Sequence, residues 1–277
     1  MTALTDVSAV PQRSRPGRAV TQVQVLRSEW IKLWSLRSTR WSLVLGTLGL
    51  LLGIVVAAFD MARWHTFTPE MRRTYSPIDT ALIGWHLSEL AIGVLGILVI
   101  CGEYSTGMIR STFMAVPTRL PVLWAKVLVF ASVTFALTLP MTFIGFFGAS
   151  AVLAEQHINP SLSTPGALRC VIAIPLFLTV LAVFTVSLGA LVRNIAGGIA
   201  IFAGIIFVIP GLVGVLSTAL KNAINPYLPS NAAMAVFTAK PDPSDHLLAP
   251  WTGFGVFCGY TAVLLAAAAI TLVRRDV

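Results

Sequence analysis

Residues 167–216 read ALRCVIAIPLFLTVLAVFTVSLGALVRNIAGGIAIFAGIIFVIPGLVGVL. No side chain from Cys170 to Val192 is charged, and none from Ala196 to Leu216. Each run reaches the about 20 mostly apolar residues that carry a helix across a bilayer. Only Arg193-Asn194-Ile195 lies between them, a tight polar turn, so the chain crosses, reverses and crosses again. Working outward, four further stretches qualify: Trp41–Phe59, Ala81–Cys101, Val122–Leu153 and Trp251–Val273. With Ala167–Val192 and Ala196–Leu216 they predict an all-α membrane protein of six transmembrane helices. Val122–Leu153 is overlong and is expected to tilt or to extend past the bilayer.

Composition agrees. Of 277 residues, 56% are apolar and 11% charged, against roughly 25% charged in soluble domains. Mean hydropathy is +0.85. The net charge of +8 has a simpler reading here than nucleic-acid binding, because basic residues gather on the cytoplasmic side and set orientation. With the N-terminus inside, inner segments hold 13 of the 19 Lys and Arg, outer loops hold 5, and Arg169 lies near the outer end of span four. Both termini are therefore expected to be cytoplasmic. Cys101, Cys170 and Cys258 lie in or at the ends of apolar runs without CxxC spacing, and read as packing residues.

Residues 1–19 read as a disordered cytoplasmic tail, and residues 20–277 as a single transmembrane domain. The first apolar run is longer than a signal-peptide core, so it reads as a retained span. Before it, Val23, Leu26, Trp30, Leu33 and Trp34 recur at spacings of three and four, with Arg27, Lys32 and Arg37 between or beside them. That pattern predicts an amphipathic helix over 20–40, lying in the cytoplasmic interface. Gly49 and Gly53 form a GxxxG in span one, and Gly255 and Gly259 form one in span six, the spacing that lets helices approach closely. Pro140, Pro175 and Pro210 are expected to kink their spans. The loop 217–250 carries five prolines, and its first half is apolar enough for a short re-entrant or interfacial helix.

No catalytic pattern is present: no GxxxxGK[ST], HExxH, GxSxG or CxxC, and no paired carboxylates within a span. No catalytic, cofactor-binding or metal-binding residues are assigned. His86 and Glu89, three apart near the outer end of span two, form a minimal metal or proton-relay pair, though an ordinary pair of interfacial polar residues fits as well. Intramembrane charge is otherwise scarce, which argues against a proton- or ion-coupled secondary transporter.

The second inner loop, Gly102 to Arg119, reads GEYSTGMIRSTFMAVPTR. A short membrane-parallel helix fits Ser105 to Ala115, ended by Pro117. On it Ile109 and Phe113, with Met114 beside them, would share an apolar face suited to a partner's groove.

This loop resembles that of type-2 ABC exporter permeases: E-x-x-x-G, a short hydrophobic and Ser/Thr run, P-x-R and then a lysine, here Glu103, Gly107, Pro117, Arg119 and Lys126. Ser28 to Arg40 also resembles the E-x-x-K-L…R-S/T element before span one in actinobacterial-type members. One departure is Gly107-Met108 where many relatives have Gly-Thr. The resemblance covers essentially the whole chain. It implies a permease subunit that forms a translocation pathway and binds no nucleotide itself. A separate ABC ATPase subunit would hold ATP and Mg. A coupling helix between spans two and three would receive that subunit's motion, with Glu103, Tyr104, Gly107, Arg110, Thr112 and Arg119 as its candidate residues. Glu29, Trp30, Lys32, Trp34 and Arg37 would mark the interfacial helix. It further implies a homodimer or heterodimer with a second permease in the cell membrane. No nucleic-acid partner is expected, and the few charged residues in the spans favour export of an amphipathic or hydrophobic substrate. The alternatives are a non-transporting scaffold or sensor subunit, from a different class, and a secondary transporter.

Overall fold

The computed structural model describes residues 21–35, 37–215, 217–240 and 247–274. The tail 1–19, Leu36, Leu216, Pro241, Pro243, His246 and Arg275 lie outside the described residues. Those described form helices and turns, with no strand among them. Six helical stretches are long and apolar enough to cross a membrane: Arg37–Ala62, Pro77–Ser105, Leu120–Gln156, Ala167–Val192, Ile195–Gly214 and Pro250–Arg274.

An N-terminal helix α1 (Gln22–Ser35) precedes span one. Span one is two helices, α2 (Arg37–Gly49) and α3 (Leu52–Ala62), joined by a turn at Leu50 and Leu51. A short α4 (Pro69–Thr74) follows, capped by the Thr68 hydroxyl, which accepts from the Met71 N–H at 3.2 Å. Span two is α5 (Pro77–Leu82) plus α6 (Trp85–Ser105), broken at Ile83-Gly84. The two breaks face each other. A β-carbon at Gly84 would overlap the Gly49 carbonyl, and one at Gly53 the Ala81 carbonyl, so only glycine permits this approach. Gly49-x-x-x-Gly53 is thus an internal packing seam. In contrast, Gly255 and Gly259 have nothing within 4 Å of an added β-carbon.

After α7 (Met108–Ala115), span three is one long helix, α8 (Leu120–Leu153), which runs through Pro140. Span four, α9 (Ala167–Val192), runs through Pro175. Arg193 ends it with a left-handed φ of 56°, and the Asn194 side chain caps the next helix by accepting from the Gly197 N–H at 2.8 Å. Span five comprises α10 (Ile195–Ala203), a π-helical stretch Gly204–Val208, and α11 (Ile209–Gly214). Pro210 lacks the N–H that would bond the carbonyl four residues back, and the turns before it widen. In the 217–250 loop lie α12 (Thr218–Ile224) and α13 (Pro229–Met234), and α14 (Pro250–Arg274) is span six.

The core centres on α9. Its most apolar window is 72% buried, against 17% for span five and 22% for span six. Phe184 of α9 stacks with Phe257 of α14, Phe177 meets the same ring at a tilt, and Trp85 of α6 meets Phe177 and Phe237. Spans five and six show the environment large apolar surfaces (Phe207, Val208, Leu212, Val263, Ile270), as lipid-facing helices do.

Candidate functional site

The C-terminal end of α6, the N-terminal part of α8 and the C-terminal ends of α9 and α14 meet α1 and α7 at one end of the bundle. Gly107 makes the sharp turn from α6 into α7 with a left-handed φ of 71°. Arg119, also left-handed at φ 56°, turns α7 into α8. Its guanidinium lies 5.6 Å from the Phe113 ring and donates to the Leu272 carbonyl of α14 at 3.2 Å.

At the centre of this junction four charges neutralise one another. Lys126 of α8 donates to Glu29 Oε2 of α1 at 2.6 Å and to Glu103 Oε1 of α6 at 2.8 Å. Lys32 of α1 donates to Glu29 Oε1 at 2.7 Å, to Glu103 Oε1 at 3.1 Å and to the Thr112 hydroxyl of α7 at 3.3 Å. The side chains of Lys126, Glu29 and Glu103 are 3%, 3% and 6% exposed, and that of Lys32 is 23%. Charges so buried persist only when paired and hydrogen-bonded. Burial alone would raise the Glu29 carboxyl, but the ammonium groups of Lys126 and Lys32 outweigh it and hold it below its ordinary 4.5. Burial alone would lower Lys32, but Glu29 and then Glu103 hold it above its ordinary 10.5. The cluster borders a cavity of ≈ 310 Å³ whose other walls include Leu98, Val99 and Phe130.

The two stretches singled out in the sequence therefore meet. Glu29 and Lys32 of one join Glu103 and Thr112 of the other. Gly107 forms the turn, Tyr104 follows Glu103 with Arg193 5.3 Å from its ring, and Arg119 packs on Phe113 at the start of α8. Trp30, Trp34, Arg37 and Arg110 point away and are exposed. Lys126, expected only as the lysine that closes the loop pattern, is the hub. A lysine so near the start of an apolar span requires a carboxylate, and that requirement was the available signal.

Two expected faces are corrected. On α7, Ile109 and Phe113 do not form a bare knob: they are 3% and 9% exposed, packed into the bundle, while Met114 is 78% exposed. The outward surface is Arg110, Ser111 and Met114. On α1, the expected apolar face divides. Val25, Glu29 and Leu33 are buried, whereas Val23 and Trp30 are 72% and 49% exposed. The glutamate turns inward to meet Lys126, and the tryptophans, 5.9 Å apart, turn outward.

At the opposite end, His86 is exposed and stacks on Trp85, while Glu89 is buried, so the two do not converge. Among the described residues no three His, Cys, Asp or Glu gather to hold a metal ion. No protein-family model matches the chain, and no curated protein matches it.

Proposed function

We propose that the chain is the permease subunit of a type-2 ABC exporter. Six spans would form one half of a pathway completed by a second permease, and a separate ATPase subunit would supply the energy from ATP and Mg. Both termini and α7 would face the cytoplasm, the side favoured by the basic residues, and the membrane would be the cell membrane.

The observation that carries this reading is the way α7 is attached. Its inner face is buried through Ile109 and Phe113, and Lys32 ties Thr112 to the charge cluster that joins α1, α6 and α8. Its outer face is left exposed at Arg110, Ser111 and Met114. A push on that outer face passes to two spans and to α1 together, because a cluster satisfied by mutual pairing moves as a unit. That is the mechanical requirement for a coupling helix. The mostly uncharged spans suit an amphipathic or hydrophobic substrate.

The test is co-expression with a Walker-loop ATPase encoded beside this chain. The expected result is a co-purifying complex whose ATPase activity rises on reconstitution, with Arg110→Glu reducing assembly or stimulation while insertion stays intact. A chain that purifies without an ATPase and stimulates none would instead be the non-transporting scaffold or sensor subunit.

A further inference from the structure

Span two carries one acid that the junction does not use. Glu89 lies on α6, but the span begins earlier than the apolar run suggests, at Pro77 of α5. Twelve positions (89 − 77) precede Glu89 and sixteen (105 − 89) follow it to Ser105. At about 1.5 Å per residue these are at most ~18 Å, because the span is broken at Ile83-Gly84, and ~24 Å. In a hydrocarbon layer of about 30 Å, that places Glu89 in the interior and not at the boundary.

The surroundings are apolar. One turn before Glu89, Trp85 packs edge-on against Phe177 of α9 and Phe237 beyond α13. One turn after it, Gly93 abuts the Phe202 ring of α10 so closely that a β-carbon would overlap it. Glu89 is 2% exposed, and its Oε1 has no hydrogen-bond partner.

Among the described residues, no charge on an element packed against it compensates it. On α6 itself, His86 is exposed against Trp85, and Glu103 pairs with lysines at the far end. On α9, Arg169 donates to the Thr238 carbonyl, and Cys170 is the other titratable group of that turn. On α5, Asp79 accepts from the Ala239 N–H and the Ser76 hydroxyl. On α2, Arg37 and Arg40 lie at the opposite end of the span, and α10, α11 and α13 carry no ionisable side chain.

A lone carboxylate in such a medium costs several kcal/mol or more, and a carboxyl escapes that cost by taking a proton. We propose that Glu89 is an intramembrane proton-binding site, protonated at neutral pH and shielded from water by the packing of α6 against α9 and α10. The inference does not depend on the exporter reading. It concerns a group 14 positions (103 − 89) along α6 from Glu103, about 21 Å of helix from the charge cluster.

The test is infrared difference spectroscopy of the full chain in lipid at pH 7, wild type against Glu89→Gln. The expected difference is loss of one carbonyl-stretch band of a protonated carboxyl, a band that shifts slowly after transfer to D2O. A difference spectrum that shows loss of carboxylate bands, with no protonated band, overturns the proposal. A second measurement uses wild-type protein alone. A hydrophobic carbodiimide adds a protonated carboxyl across one C=N bond, the proton going to nitrogen and the oxygen to carbon, and an acyl shift leaves a stable N-acylurea. Mass spectrometry is expected to find it on the Glu89 peptide, with yield falling as pH rises. Adducts on other carboxyl groups with Glu89 unmodified count against the proposal.

Discussion

Lys126→Met removes the hub of the charge cluster and keeps the volume of the side chain. Two hydrogen bonds of 2.6 and 2.8 Å disappear, and two carboxylates that are 3% and 6% exposed lose their shared buried cation. Among the described residues only Lys32, 23% exposed and already engaged with Glu29, Glu103 and Thr112, is left to neutralise them. Breaking a buried pair from one side costs about 3–5 kcal/mol, because the remaining charge is stranded. Lys126 is too buried for solvent screening to reduce that figure much. Reversible unfolding of the purified chain in mixed micelles is the assay. The expected result is a loss of about 3–5 kcal/mol at pH 7, shrinking as pH falls and a stranded carboxylate takes up a proton. Lys126→Met combined with Glu103→Gln is expected to recover about half or more, since a neutral amide needs no cation. A single variant within about 1 kcal/mol of the native chain, or a double variant no better than the single, refutes the argument that the cluster holds the junction together.

Further outcomes follow from the same geometry. The Glu29 carboxyl is depressed, so its stabilisation is present above its ordinary 4.5 and lost as pH falls through the folded value. Lys32 is raised, so its stabilisation is present below 10.5 and lost as pH rises through the folded value. Thermal stability is thus expected to show a plateau between those limits, and Glu29→Gln is expected to remove its acid edge. Gly107→Val meets no neighbour but forces a branched side chain to a φ of 71°, so it is expected to cost about 1–2 kcal/mol in unfolding assays, with Gly107→Asn costing less. Gly53→Leu is expected to lose about 3 kcal/mol or more by overlapping the Ala81 backbone, whereas Gly255→Leu, which has open space, stays within about 0.5 kcal/mol.

How far the sequence discloses this arrangement depends on what each residue faces. Span four was legible to the residue, because its apolar run stops at the polar Arg193-Asn194 turn, but the Asn194 cap and the start of the next helix at Ile195, inside the expected turn, were not. The breaks at Leu50 and Gly84 were not, since both lie inside apolar runs and arise from backbone contact between distant glycines. The faces of α1 and α7 were misjudged for a common reason. On both, a large apolar side chain stands exposed, Trp30 at 49% and Met114 at 78%, so amphipathicity does not reveal the inner face. The inner face of α1 is marked instead by Glu29, through a lysine 97 positions away. Both motifs of the site were visible, but their meeting through Lys126 was not. The depth of Glu89 was hidden because Pro77–Leu82, with Asp79 in its first turn, does not look like the start of a span.

The central claim is that α7 presents its Arg110–Ser111–Met114 face to a partner in the cytoplasm. The most direct measurement introduces Ser111→Cys into a chain whose Cys101, Cys170 and Cys258 are replaced by alanine, and follows labelling by a membrane-impermeant maleimide. The account predicts labelling in inverted membrane vesicles, none from outside in intact cells, and protection when the ATPase subunit is co-expressed. Labelling from outside intact cells, or labelling in inverted vesicles that the ATPase leaves unchanged, contradicts it.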